Sequence, residues 1–129
     1  MYNLYFKFTA RYLKRKAMKG QLNSLKSAGE FTAGGMSIDK LRDIFYALSD
    51  KIRLEIIRLL IDNGEMCVCK FQEIFKISQP NLSFHLGILR KAGLVKTRRK
   101  GTWMNYSLNG ENPALKDLVP LIKNAPAGE

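Results

Sequence analysis

Cys67 and Cys69 stand one residue apart and are the only cysteines in the chain. Thiolates select soft acceptors over magnesium, calcium or manganese, so a Cys-Val-Cys pair suits a thiophilic ion. Two other uses fit the same pair: buried apolar thiols that only pack, or a redox sensor. A ring closed across a single residue is tight, so a sulfenate or an intersubunit disulfide is the oxidised form to expect. Residues i and i+2 of a helix point about 200° apart. If the pair lies at a helix start, as the following residues suggest, that start must unwind or re-aim before both sulfurs can hold one atom. The single histidine, His85, has no second histidine or suitably spaced carboxylates with which to build a zinc site. It falls at the edge of an apolar helical stripe, where a structural hydrogen-bond partner is expected. Cys-x-x-Cys, a phosphate-cradling loop and a Cys-His-Asp set are all missing from the sequence, which argues against an enzyme.

A second chemistry lies in residues 78–91. With Leu82, Leu86 and Leu89 taken as the inward side of a helix, the other side carries Pro80, Asn81, Ser83, Phe84, Gly87 and Lys91 and no carboxylate. Short polar groups at a helix start can reach base edges in the major groove. Ser78 caps that helix and its N-terminus favours phosphate. Gln79 and Asn81 can each bond adenine through two hydrogen bonds, and Phe84 can lie on a thymine methyl. Lys96, Arg98, Arg99 and Lys100 follow within five residues, with no anion among them. At a hairpin tip they could span the minor groove or clamp the backbone. Trp103, Met104, Tyr106 and Leu108 read as packing residues, the last three on one face by their period of two.

The elements that must position these groups are legible from periodicity. Ser37–Leu48 reads as a helix with Ile38, Leu41, Phe45 and Leu48 on its stripe, and a second helix runs from Asp50 to Asn63-Gly64. Cys69–Lys76 is a short third helix with Phe71, Ile74 and Phe75 inward. Ser78 to about Ala92 is a fourth, with Pro80 in its first turn. Leu94–Arg99 and Thr102–Leu108 form a hairpin across Lys100-Gly101, and Pro113–Lys123 is a last helix with Leu115, Leu118, Val119 and Ile122 on one side. The fold class is α+β, mostly α: about five helices and a β-hairpin, a winged helix-turn-helix. The apolar stripes of the first and last helices exceed what one small core covers, so they are expected to pair in a homodimer.

Composition sets the frame. The chain has 129 residues, 46% hydrophobic and 26% charged, enough for one globular domain, and its formal charge is +11. A domain this basic seeks polyanions, nucleic acid first. No apolar run approaches the length of a membrane span. Residues 1–35 hold seven Lys/Arg and one Glu, a net +6, against +5 for residues 36–129. They end in a Gly/Ser/Ala-rich stretch before Met36 and read either as an appended or upstream-translated segment or as a basic arm. The arm would touch phosphates; its amphipathic look also fits a membrane surface. The expected division is therefore 1–35 as extension, 36–123 as DNA-binding domain and 124–129 as a frayed tail. Two closely spaced cysteines and no evident secretory leader fit a reducing cytoplasm.

Glu65-Met66-Cys67-Val68-Cys69-Lys70-Phe71, Ser78–Leu86, Leu89–Val95, Gly101-Thr102-Trp103 and Tyr106-Ser107-Leu108 together resemble the ArsR/SmtB metalloregulators, most nearly the arsenical-resistance operon repressors. The likeness covers roughly residues 37–123. It implies a homodimeric repressor that leaves double-stranded operator DNA when trivalent arsenic or antimony, or an organoarsenical, is held by Cys67 and Cys69, with no organic cofactor. Some members carry a third cysteine where this chain has Gln72. The cadmium- and lead-sensing branch uses cysteines in an N-terminal arm, which residues 1–35 lack, and the last helix lacks the histidines of the zinc sensors. A thiol-based redox repressor on the same fold and a ligand-independent DNA-binding protein are the alternatives.

Overall fold

A computed structural model describes residues 36–127. The readings made above for residues 1–35 and for the last two residues of the tail lie outside the described residues. Helix α1 (Ile38–Leu48) begins where Ser37 Oγ accepts the Lys40 N–H, and α2 (Lys51–Asn63) where the Asp50 carboxylate accepts that of Arg53. Gly64, with φ at 79°, ends α2. Strand β1 (Glu65–Cys67) runs directly into α3 (Val68–Phe75), and α4 (Gln79–Lys91) follows a short turn. Strands β2 (Val95–Lys100) and β3 (Trp103–Leu108) make the hairpin, turned at Gly101 with φ at 60°. Asn112 then caps α5 (Pro113–Asn124).

The expected elements are present, with one addition. The sheet has three antiparallel strands in the order β1-β3-β2, because Glu65, Met66 and Cys67 pair with Ser107, Tyr106 and Asn105. Three residues show no alternation to read; only the free edge of β3 makes them a strand. The third helix accordingly starts at Val68, one residue before Cys69, and ends at Phe75 with Lys76 left-handed at φ 52°.

Ile44 and Ala47 of α1, Ile56, Ile57 and Leu60 of α2, Phe71 of α3, and Leu82, Leu86 and Leu89 of α4 form the core. Leu94 and Val95 close it on the sheet side, Leu115 and Ile122 on the α5 side. Two stripes differ from expectation. In α1 the residues facing the core are Ile44 and Ala47, while Ile38 and Phe45 are 78% and 61% exposed. The amphipathic pattern marks a second apolar face there, not the core face. In α3, Ile74 is exposed and Phe75 half-buried, because an eight-residue helix seated on the sheet and α4 covers only the side of Phe71.

One charged group lies inside. Arg53, 5% exposed, donates Nε to the Ala47 carbonyl at 2.6 Å and Nη2 to the Tyr46 carbonyl at 3.1 Å. Its Nη1 lies 3.2 Å from His85 Nδ1; a guanidinium can only donate, so that nitrogen is the acceptor. Helix α1 has no basic residue in its own last turn, and Arg53 supplies the cation its C-terminus favours. His85 is thus the structural partner expected of it, holding α4 to α1 and α2. Among the described residues every buried side-chain polar atom has a partner.

A second joint lies at the end of α4. The Gly93 carbonyl accepts both Asn109 Nδ2 at 2.9 Å and Asn112 Nδ2 at 3.0 Å, so the end of α4, the end of the hairpin and the start of α5 meet on one oxygen.

Arg53→Met should cost about 2–4 kcal/mol, since it strands two carbonyls and a ring nitrogen inside. Arg53→Lys should recover little of it, because an ammonium cannot fork to three acceptors in fixed directions. Urea unfolding of the three proteins measures this, and equal stability would show the guanidinium to be dispensable.

Candidate nucleic-acid interface and thiol pair

Helices α3 and α4, joined across residues 76–78, are the helix-turn-helix. Ser78 Oγ accepts the Asn81 N–H at 3.4 Å, so its hydroxyl starts α4 besides facing out. Ser78, Gln79, Pro80, Asn81, Ser83 and Phe84 are all exposed, as expected of base-reading positions. Phe84 leaves 60% of its surface open, with its ring edge-on to His85 at 5.7 Å between centroids. A bare phenyl group on a polar face suits an apolar contact such as a thymine methyl. The first turn of α4 holds no acidic residue and the last holds Arg90 and Lys91.

The hairpin register divides the wing cations between two faces. Lys96, Arg98 and Lys100 stand opposite Ser107, Asn105 and Trp103, while Arg99 stands opposite Met104 on the other face. A run of cations without an anion does not describe this wing in three dimensions. Glu65 enters from β1 and pairs with Arg98 at 3.2 Å and Lys100 at 3.3 Å, and Lys96 pairs with Glu111 at 3.4 Å. Asn105 Nδ2 adds a hydrogen bond to Glu65 at 2.9 Å. Desolvation pushes the Glu65 carboxyl up, but hydrogen bonds from Asn105, Lys100 and Arg98, together with the Arg98 charge, hold it below its ordinary value. Arg99 has no carboxylate partner among the described residues. Trp103 departs from its reading as a packing residue: it is 59% exposed at the wing tip. Met104 is 36% exposed, while Tyr106 and Leu108 are half-buried on their common face.

The thiol pair lies at the junction of β1 and α3. Cys67 is the N-cap of α3, with extended backbone at ψ 145°, and Cys69 is the second helical residue. Their Cα atoms are 5.2 Å apart and the two sulfurs meet as a disulfide. Cys67 Sγ also accepts the Cys69 backbone N–H at 3.2 Å. The expectation that the start of α3 must unwind or re-aim for the sulfurs to converge is therefore corrected. Cys67 lies outside the helix, and its extended ψ swings the sulfur back over the first turn while Val68 stays helical. The pair also closes within one chain, where a sulfenate or an intersubunit disulfide was expected for the oxidised form. Among the described residues no three His, Cys, Asp or Glu side chains gather as a metal cluster. The donor set is thus two sulfurs, suited to a soft ligand of low coordination and not to a hard cation.

Glu65 and Arg53 were missed in the sequence, and Trp103 was assigned to packing. A lone Glu before the cysteines, an Arg within an apolar helical stripe and a Trp beside the hairpin turn were the available signals.

A helix-turn-helix with an open polar recognition face, followed at once by a basic antiparallel hairpin, defines a winged helix-turn-helix DNA-binding protein. Residues 50–97 match the family described as bacterial regulatory protein, arsR family. The uncharacterized HTH-type transcriptional regulator MJ1325 of Methanocaldococcus jannaschii is 44% identical over 84 residues, covering 65% of this chain and 92% of that protein. The arsenical resistance operon repressor of Bacillus subtilis is 47% identical over 72 residues, covering 56% and 69%. The homodimeric winged helix-turn-helix DNA-binding domain Mb0332 of Mycobacterium bovis superposes with a TM-score of 0.55 at 28% identity, covering 74% of this chain and 96% of that one. The chain belongs to the arsR family of DNA-binding transcriptional regulators.

The split of the wing gives a prediction. Arg99→Ala should flatten the slope of log K against log salt by roughly one unit per lost phosphate contact in each half-site. Arg98→Ala should flatten it less, because Arg98 already spends part of its charge on Glu65. Titrations on operator and random DNA at several salt concentrations check the order, and equal or reversed effects would refute it.

Proposed function

We propose that this protein is a homodimeric repressor that binds double-stranded operator DNA and leaves it when Cys67 and Cys69, reduced to the dithiol by a small cellular thiol, take up trivalent arsenic, trivalent antimony or a monosubstituted organoarsenical, each sulfur displacing an oxygen ligand that leaves as water. The convergence of two sulfurs at the N-cap of α3, the helix that packs on the recognition helix, carries this reading. The name of the Bacillus subtilis relative, an arsenical resistance operon repressor, supports the ligand class. When bound, the metalloid supplies two bonds to sulfur that fix the pair. The chain's own groups do the rest. The Cys69 N–H donates to Cys67 Sγ at the positive end of α3. Gln72, one turn on, offers no third thiol. An organoarsenical that needs only two protein sulfurs therefore suits this site at least as well as arsenite.

Gln79, Pro80, Asn81, Ser83 and Phe84 read bases, with Ser78 setting the helix start. Lys96, Arg98, Arg99 and Lys100 contact the backbone. Residues 1–35, outside the described part, would act as a basic extension to the domain spanning 36–123. Dimerisation is supported by the uncovered apolar face of α1, with Ile38, Phe45 and Tyr46, by Leu121 of α5 at 70% exposure, and by the homodimeric relative. A two-fold pair would set the recognition helices about 34–36 Å apart, one turn of DNA. The meeting of the two sulfurs within one chain favours a second reading, a redox repressor on the same scaffold.

Operator DNA selected by the protein from a random library, followed by anisotropy with arsenite, antimonite, phenylarsine oxide and peroxide, tests both. Phenylarsine oxide should release DNA at least as well as arsenite. Cys67→Ser and Cys69→Ser should each abolish release while holding operator affinity within about tenfold, or about 1.4 kcal/mol. Release by peroxide alone would establish the redox reading. Loss of DNA binding in Cys67→Ser would make the pair structural.

For the dimer, light scattering at micromolar concentration should give twice the chain mass. Phe45→Glu should give a monomer with operator affinity reduced more than tenfold. A monomeric parent with operator binding intact would refute the dimer.

A further inference from the structure

Glu65 opens β1, and neither the recognition helix nor the thiol pair makes use of it. Its carboxylate gathers side chains from both other strands: Arg98 Nη2 at 3.2 Å and Lys100 Nζ at 3.3 Å from β2, and Asn105 Nδ2 at 2.9 Å from β3. Side chains two apart on a strand share a face, so Glu65 and Cys67 lie on one side of the sheet. The register places Cys67 opposite Asn105 and Asn105 opposite Arg98. One face of a three-stranded sheet thus holds a cysteine sulfur, a carboxylate, a bridging amide and three wing cations, two of which reach the carboxylate. Arg99, with no such partner, lies on the other.

The same guanidinium and ammonium that reach Glu65 are wanted by DNA phosphate, and they cannot serve both fully. All three side chains are partly exposed, so the hold is weak enough to exchange with phosphate. The strand that carries Glu65 is three residues long, at the sheet edge, and ends at Cys67. Its two ends are about 7 Å apart. A change in the Cys67 backbone therefore arrives at Glu65 with little chain to absorb it.

We propose that Glu65 is a positioning residue of the DNA-binding wing, which competes with phosphate for Arg98 and Lys100 and links that competition to the thiol pair two residues away. The link rests on the reading of Cys67 and Cys69 as the sensor; the competition does not. Occupation of the thiols shifts β1 so that the carboxylate keeps the two cations, and the wing lets go of the backbone.

The test uses the full chain with Glu65→Gln, which keeps an acceptor for Asn105 but loses the charge, and with Glu65→Lys. Without inducer, Glu65→Gln should bind random DNA two- to tenfold more tightly, with a salt slope steeper by about one unit per protomer. Glu65→Lys should be steeper again. A purely structural role would give no such order. An unchanged slope, or weaker binding in both variants, overturns the competition. With phenylarsine oxide, the ratio of affinities without and with inducer should fall at least fivefold in Glu65→Gln relative to the parent. A steeper slope with an unchanged ratio overturns the link. A parent that no thiophilic compound releases overturns the sensor reading and with it the link, while the slopes measured without inducer still decide the competition.

Discussion

A cation held inside the domain organises much of what surrounds it. Arg53 leaves water to bond the last carbonyls of α1 and the imidazole of α4, from a position on α2. Burying a guanidinium is costly, and here the two carbonyls at the negative end of α1 and the His85 imidazole offset it. Three helices are fixed relative to one another by one side chain whose five donors point in set directions. The recognition helix is therefore placed from behind, through His85, while its outer face stays open and free of carboxylates. The Phe84 ring stands edge-on to the imidazole that Arg53 holds. The inner polar joint and the outermost apolar group of the reading face are thus neighbours.

Most of the architecture could be read from residue spacing, because helices of eleven to thirteen residues with serine, aspartate and asparagine caps repeat their apolar positions several times. The reading weakened where repetition was absent. Glu65-Met66-Cys67 becomes a strand through a partner forty residues away in sequence, and no local pattern records that. The stripe of Ile38, Leu41, Phe45 and Leu48 has correct helical spacing but does not name the surface it will meet. Its most exposed members face away from the core. Helical geometry alone kept the two sulfurs apart. The residue that resolves this is Cys67 itself, which caps the helix instead of belonging to it.

Charge behaves differently in the sequence and in the fold. Four cations in five residues suggest an unscreened wing, yet folding brings carboxylates from before α3 and from before α5 to three of them. The wing enters an encounter with DNA partly neutralised, except at Arg99. If the wing meets DNA as proposed, its cations act at close range, where phosphate would have to displace carboxylate.

The Gly93 carbonyl oxygen ties the hairpin and α5 to the foot of α4. Two asparagine side chains, one from the end of the hairpin and one from the cap of α5, close on that single atom at the foot of the recognition helix. The helix proposed to touch bases and the helix proposed to touch a second copy are therefore joined through one shared oxygen. In a two-fold pair, that joint sets the distance between the two reading faces, with no flexible linker to adjust it. Such a protein measures length as well as letters. Inserting a single base pair between two intact half-sites would turn one of them about 34–36° out of phase at 10–10.5 base pairs per turn, and the joint has no soft torsion with which to follow.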